Sequence, residues 1–112
     1  MICIYHENID RGWTRYVNCC VSQSGTTITC SLNLEPMLDE GQVAPWGEPY
    51  TMTVQRFYGG RWQNIQTKSG TVYSNGGDSS RQFGMSRSSD PYRVRVVYTN
   101  NNETRYSREF IH

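Results

Sequence analysis

The feature that most constrains the fold of this 112-residue chain is the alternation of apolar and basic residues over residues 92–98. Successive side chains of an extended strand point to opposite faces. One face therefore carries Tyr92, Val94, Val96 and Tyr98, and the other carries Arg93 and Arg95. This pattern is typical of an antiparallel strand with one buried and one solvated face.

The same period-2 pattern recurs along the chain, and no stretch has the apolar spacing of an amphipathic helix. The predicted strands are Ile2–His6, Thr14–Ser22, Thr26–Leu34, Tyr50–Tyr58, Arg61–Thr67, Arg81–Met85, Tyr92–Thr99 and Glu103–Phe110. Loops are expected at residues 35–49 and 69–80. We therefore predict one all-β domain over residues 1–112, a two-sheet antiparallel immunoglobulin-like sandwich of seven or eight strands.

Two tight turns are predicted from glycine positions. Gly59-Gly60 is expected to join two strands, because glycine adopts the positive φ that such turns require. A second turn is predicted at Ser24-Gly25. The alternation also places Ile28, Cys30, Leu32, Leu34, Met52 and Val54 on the inner faces, and Trp62, which begins a strand, is expected in the core.

The four cysteines are Cys3, Cys19, Cys20 and Cys30, an even number in a small domain. A turn at Ser24-Gly25 would place Cys19 opposite Cys30, which favours a bridge between them and leaves Cys20 to pair with Cys3. A one-residue bulge would exchange Cys19 and Cys20, and four free thiols remain the alternative. Disulfides indicate a secreted, extracellular protein. Met1–Gly12 lacks signal-peptide features, so a leader is expected to have been removed.

Charge is distributed unevenly along the chain. Residues 1–50 contain six acidic and two basic residues, and residues 51–112 contain nine basic and four acidic ones. Ten of the eleven bases are arginine, which favours planar contacts with carboxylates or phosphates. Either the two halves lie side by side and complement each other, or an arginine-lined face meets an anionic partner.

No combination of residues indicates catalysis. His6 lies on a predicted edge strand and His112 at the mobile chain terminus, so neither is expected to act as a base. No metal or cofactor is predicted, because the cysteines lack the spacing of a zinc site. A net charge of +1 gives little drive for nucleic-acid binding. No apolar run reaches the roughly 20 residues that a membrane span needs.

From Tyr16 onward the chain resembles a group of small secreted β-sandwich proteins of Gram-positive gut bacteria that have no assigned reaction. The residues that carry the resemblance are Tyr16–Cys20, Ser24-Gly25, Thr26–Ser31, Thr53–Phe57, Gly60, Trp62, Asp90-Pro91 and Tyr92–Val96. Met1–Trp13 has no counterpart in that group. The resemblance implies the fold and secretion, and it transfers no functional residues.

Recognition is the function that these observations favour. Aromatic and arginine side chains anchor interfaces and stack on sugars, so Trp13, Trp46, Arg93 and Arg95 are the candidate binding residues. We predict that this protein is an adhesin-like or host-directed ligand and that its partner is a protein or glycan surface. The alternative is a small disulfide-stapled toxin or bacteriocin, which growth inhibition of related bacteria would reveal.

Overall fold

A computed structural model describes residues 1–7, 9, 15–36, 47–73 and 79–112. These residues form nine β-strands, and none of them is helical. The strands are β1 (Ile2–Glu7), β2 (Arg15–Ser24), β3 (Thr27–Pro36), β4 (Gly47–Tyr58), β5 (Arg61–Tyr73), β6 (Ser79–Gly84), β7 (Pro91–Tyr98), β8 (Glu103–Tyr106) and β9 (Phe110–Ile111).

The strands form two antiparallel sheets, which confirms the predicted sandwich. One sheet has the order β1-β2-β3-β6, and the other has the order β5-β4-β7-β8, with β9 also paired to β7. The chain therefore crosses between sheets after β3, after β5 and after β6. The pairings of β3 with β6 and of β4 with β7 correspond to the B–E and C–F neighbours of an immunoglobulin sandwich.

The core lies between the two sheets and is built from the residues that the alternation placed inward. Cys30 and Leu32 of β3, Met52 and Val54 of β4, and Val94 of β7 are all fully buried. Three tyrosines also reach this layer, and they are Tyr50, Tyr92 and Tyr98. A tyrosine buries a large ring while its hydroxyl needs a hydrogen-bond partner, so these positions also carry polar contacts across the core.

The two predicted turns have different outcomes. Gly59 and Gly60 form the β4–β5 turn with φ of 65° and 80°, as expected. The first hairpin is closed by Gly25 and Thr26, because Ser24 pairs with Thr27. The prediction of a Ser24-Gly25 turn is therefore wrong by one residue. Gly25 has a φ of 58°, and Thr26 has no positive φ. A turn that requires a positive φ only at its first central residue places glycine there, so Gly25 is the first central residue and Thr26 the second.

This shifted register corrects one of the two predicted disulfides. Cys3 and Cys20 are directly opposite and bonded, with 4.1 Å between their Cα atoms, as predicted. Cys19 lies opposite Leu32 rather than Cys30, so the two remaining cysteines are diagonal neighbours. Their sulfurs are 3.8 Å apart, and both residues are buried free thiols. The predicted Cys19–Cys30 bridge is therefore absent from the structure.

Side chains cover the open edges of the sandwich on the side of β5 and β6. Gln66 and Lys68 of β5 donate hydrogen bonds to carbonyl oxygens of β6, each at 2.6 Å. Arg81 of β6 donates from Nε to a β5 carbonyl oxygen at 2.9 Å. Unpaired main-chain groups at a sheet edge can pair with another chain, and these contacts occupy several of them.

The opposite side of the sandwich is covered in the same way. Arg105 donates from Nη2 to the carbonyl oxygen of Glu7 at 3.0 Å, and Arg108 donates from Nε to that of Cys3 at 2.7 Å. Both acceptors belong to β1, the edge strand of the other sheet. Long cationic side chains thus join the two sheets along both open sides.

Candidate functional site

The outward face of the β5-β4-β7-β8 sheet is the candidate site, and we refer to it as the outer face. Strand alternation and register give it Thr51, Thr53, Gln55, Phe57, Trp62, Asn64, Thr67, Ser69, Arg93, Arg95, Val97, Thr104 and Tyr106. Arginine, carboxamide, hydroxyl and aromatic groups predominate, and none of these residues is acidic. Exposed sheet faces normally mix both charge signs, so this composition indicates a face that favours anions.

Hydrogen bonds join the polar side chains of this face across the strands. Arg93 donates from Nε to Gln55 Oε1 at 2.8 Å, and Gln55 donates from Nε2 to Asn64 Oδ1 at 2.9 Å. In the neighbouring row the hydroxyl oxygens of Thr53 and Thr67 are 3.0 Å apart. Only 5% of Gln55 is exposed, so the middle of the face is covered and ordered by its own side chains.

Arg93 is held between two aromatic rings. Its guanidinium carbon is 4.2 Å from the centre of the Trp62 ring and 4.0 Å from that of Tyr106. Stacking of this kind is typical of arginine, whose planar cation matches an aromatic face. The Trp62–Arg93–Tyr106 stack, together with the bond to Gln55, fixes the positive charge in place on β7.

Arg95 is bound much less completely. Its closest hydrogen-bond contact runs from Nη2 to Thr53 Oγ1 at 3.5 Å. Its Nε is buried and has no hydrogen-bond partner among the described residues. Arg95 therefore holds fewer hydrogen bonds than its guanidinium group can make.

Two other described arginines, Arg56 and Arg87, are engaged away from the outer face. Arg56 forms an ion pair with Asp90, with 2.7 Å between Nη2 and Oδ2, and the same carboxylate raises the pKa of Arg56. Arg87 donates from Nε to the carbonyl oxygen of Gly25 at 2.9 Å. Neither Arg93 nor Arg95 has a carboxylate partner in the part of the chain that the structure describes.

Trp62 lies in the site, which corrects the prediction that it is a core residue, because the Gly59-Gly60 turn pairs it with Phe57 on the outward side of β4. Val54 pairs with Gln66 and Gln55 pairs with Asn64, so Ile65 is an extra residue in β5. The extra residue reverses the faces of β5 on either side of it. Trp62 lies between the turn and this bulge, half-buried on the outer face against Arg93 and the edge of Phe57.

Of the predicted binding residues, the structure brings Arg93 and Arg95 together on one face. Trp13 and Trp46 lie outside the described residues. Sequence reasoning missed Gln55, Asn64 and Trp62. The polar alternation Thr51, Thr53, Gln55 was a signal for the first, and the Gly59-Gly60 turn, which pairs Gln55 with Asn64 and Phe57 with Trp62, was a signal for the other two.

The two histidines have structural contacts rather than exposed positions. His6 lies on the edge strand β1 as predicted, yet it is only 2% exposed. His112 is also buried, and the prediction of a mobile terminus is wrong, because its Nδ1 lies 2.6 Å from Gln23 Oε1 and its Nε2 lies 2.9 Å from the Met85 carbonyl oxygen.

A buried thiol pair lies between the sheets, away from the outer face. The hydrogen bond from Cys30 lowers the pKa of Cys19 to about 6 against the opposing effect of burial, and the neighbouring His6 acts in the same direction. The same hydrogen bond and burial raise the pKa of Cys30. No cluster of three or more histidine, cysteine or acidic side chains suited to a metal ion occurs within the described residues.

The fold and the outer face together define an all-β sandwich that presents a cationic, polar sheet surface to solvent. None of the described segments is a helix long and apolar enough to cross a bilayer. Comparison with known protein families, curated proteins and solved structures finds no match for this chain.

Proposed function

We propose that this protein is a non-catalytic, extracellular binding module that meets an anionic partner with its outer face. The observation that carries the proposal is the placement of Arg93 and Arg95 on an acid-free sheet face, where neither has a described carboxylate partner. Arg93 is already fixed by Gln55, Trp62 and Tyr106, so it loses little side-chain entropy on binding.

The Cys3–Cys20 bridge supports the extracellular part of the proposal. Disulfides form and persist in oxidising compartments and are rare in the cytosol. The resemblance to small secreted β-sandwich proteins of Gram-positive bacteria points the same way. An adhesin or a host-directed ligand fits both the compartment and the surface.

The experiment is a binding screen of the whole chain against arrayed extracellular proteins and glycans of known composition. Hits should be enriched in acidic partners and should weaken as salt rises, because salt screens exposed charges. Arg95→Gln should lose these hits, since the substitution removes the least engaged guanidinium of the face. Arg87→Gln is the matched control, because Arg87 is exposed and bonds to the carbonyl oxygen of Gly25 in the β2–β3 turn of the other sheet.

A Trp13→Ala, Trp46→Ala double variant serves as a second comparison. Loss of every hit in that variant, with full retention in Arg95→Gln, would move the binding surface away from the outer face. If binding depends neither on the charge of the partner nor on the salt concentration, the proposal of an anionic partner is wrong.

A further inference from the structure

An open cavity of about 360 Å³ lies on the outer face beside Arg95. It is lined by Gln55, Arg61, Trp62, Gln63, Asn64 and Arg95. This volume is near the lower end of the roughly 300–1,000 Å³ that small-molecule sites occupy. The cavity therefore suits one small polar unit, such as a single sugar ring.

The lining offers donors for an anion. It contains two guanidinium groups, three carboxamides and an indole, and no carboxylate. Arg95 is half-buried, and its terminal Nη2 makes one long contact, to Thr53 Oγ1 at 3.5 Å. A guanidinium presents parallel N–H groups that match the two oxygens of a carboxylate, and such charge-assisted pairs are stronger than neutral hydrogen bonds.

Asn64 adds a second polar group at the same place. Its Oδ1 accepts from Gln55, so its Nδ2 remains a donor toward solvent, and the residue is exposed. Gln55 is already bonded at both ends, to Arg93 and to Asn64, which holds the Asn64 amide in a fixed orientation. A fixed amide beside a guanidinium suits a ligand that carries a hydroxyl next to a carboxylate.

The remaining features favour a sugar over an acidic peptide. An extended peptide usually adds to a free sheet edge, and side chains occupy carbonyl groups at the edges here. A folded protein partner usually needs apolar anchor pockets, whereas Trp62 and Tyr106 are already stacked on Arg93.

We propose that this cavity binds the carboxylate-bearing ring of an acidic glycan, with Arg95 pairing with the carboxylate and Asn64 donating to a ring hydroxyl. The inference rests on the proposed function, since it names the ligand class of the same face. Arg93 is a positioning residue in this arrangement, because it acts through Gln55.

The test compares methyl β-D-glucuronide with methyl β-D-glucoside, which differ only in the carboxylate, by following backbone amide resonances of the whole chain. The glucuronide should shift resonances of residues 53–55, 62–64 and 93–95 with a millimolar dissociation constant, at constant ionic strength. The glucoside should bind at least about tenfold more weakly. Sodium acetate, which lacks the ring, should also bind at least about tenfold more weakly.

Two variants with a matched control assign the contacts. Arg95→Gln should weaken the glucuronide by about tenfold or more, and Arg87→Gln should leave it unchanged. Asn64→Asp keeps an acceptor for Gln55 but replaces the free amide with a negative oxygen, so it should also weaken binding while the fold is retained. Equal binding of glucuronide and glucoside, or of glucuronide and acetate, would overturn the inference.

A glutamate-rich peptide separates this inference from the proposed function. If that peptide shifts the same resonances in an Arg95-dependent way and the glucuronide does not, the sugar assignment is wrong and the binding face stands. If neither probe perturbs the outer face, both proposals are wrong.

Discussion

His6 joins the two sheets through hydrogen bonds in the core. Its Nε2–H donates to the carbonyl oxygen of Tyr106 at 2.9 Å, which leaves Nδ1 as the acceptor for the Tyr98 hydroxyl at 2.7 Å. Burial raises the pKa of Tyr98, so this hydroxyl keeps its proton and donates. An edge strand of one sheet is thereby bonded to β7 and β8 of the other.

The first prediction concerns this contact. Tyr98→Phe should lower the free energy of unfolding by about 1–3 kcal/mol, because it leaves a buried imidazole nitrogen without its donor. Tyr106→Phe is the matched control and should be nearly neutral, since His6 bonds to the main chain of Tyr106 and not to its hydroxyl. Urea denaturation measures both. Equal losses in the two variants would contradict the role assigned to the Tyr98 hydroxyl.

The second prediction follows from the lowered pKa of Cys19. Between pH about 6 and 9 the unfolded chain keeps a proton on this thiol that the folded protein has released. The contribution of Cys19 to stability is therefore fully present above the unfolded pKa of 9.0 and is lost as the pH falls through about 6. The pKa of Cys30 is raised instead, so the contribution of Cys30 to stability is constant at every pH below its unfolded pKa of 9.0.

Thermal melts across this pH window measure the effect against a Cys19→Ala variant. The stability advantage of the native chain over the variant should grow as the pH rises from 6 to 9, and thiolate absorbance near 240 nm should appear over the same range. A constant difference across the window, with no thiolate signal, would contradict the lowered pKa.

At the scale of the strands, cationic and amide side chains protect the open sides of the sandwich. Lys68 and Arg81 connect β5 with β6, and Arg105 and Arg108 connect the second sheet with β1. Lysine and arginine at sheet edges hinder pairing with another chain. Several of the arginines in this sequence thus serve the fold rather than a ligand.

The third prediction is that a Lys68→Met, Arg81→Met double variant associates. Each lost hydrogen bond should cost about 0.5–1.5 kcal/mol, and the uncovered carbonyl groups of β5 and β6 become available to a second chain. Light scattering should show concentration-dependent growth in mass. Arg61→Met provides the control for added apolar surface, since no described contact ties Arg61 to a sheet edge. Association of that control to the same extent would show that hydrophobicity alone is responsible.

The strands also explain what could be predicted from the sequence. The alternation in β7 fixed which side chains are buried, because period 2 assigns faces without knowledge of the partner strand. The position of Gly25 within its turn and the bulge at Ile65 depend on backbone geometry that a residue pattern does not specify. For this reason the Cys19–Leu32 register was found only in the structure, whereas the outward face of Trp62 follows from the Gly59-Gly60 turn, which pairs Trp62 with Phe57.

At the scale of the whole molecule, the uneven charge of the two halves has a structural meaning. Arg87, Arg105 and Arg108 of the basic second half donate to main-chain carbonyl oxygens of the first half. A carbonyl oxygen accepts a hydrogen bond from a guanidinium group without cancelling its positive charge. Arginines therefore connect the two halves of the sequence around the apolar core, while Arg93 and Arg95 of the outer face have no described carboxylate partner.

The last prediction concerns the covalent link of the molecule. The Cys3–Cys20 bridge spans 17 residues and joins β1 to β2 on the solvent side of the sheet, where Cys3 is exposed to reductant. Restricting an unfolded loop of this length contributes about 3 kcal/mol, so reduction should lower the melting temperature by about 10–20 °C. A Cys3→Ser, Cys20→Ser variant should melt at a lower temperature without reductant and show no further change when reductant is added.

Thiol titration of the denatured native chain should count the two thiols of Cys19 and Cys30. Four thiols would contradict the bridge, and none would mean that Cys19 and Cys30 are bonded as well.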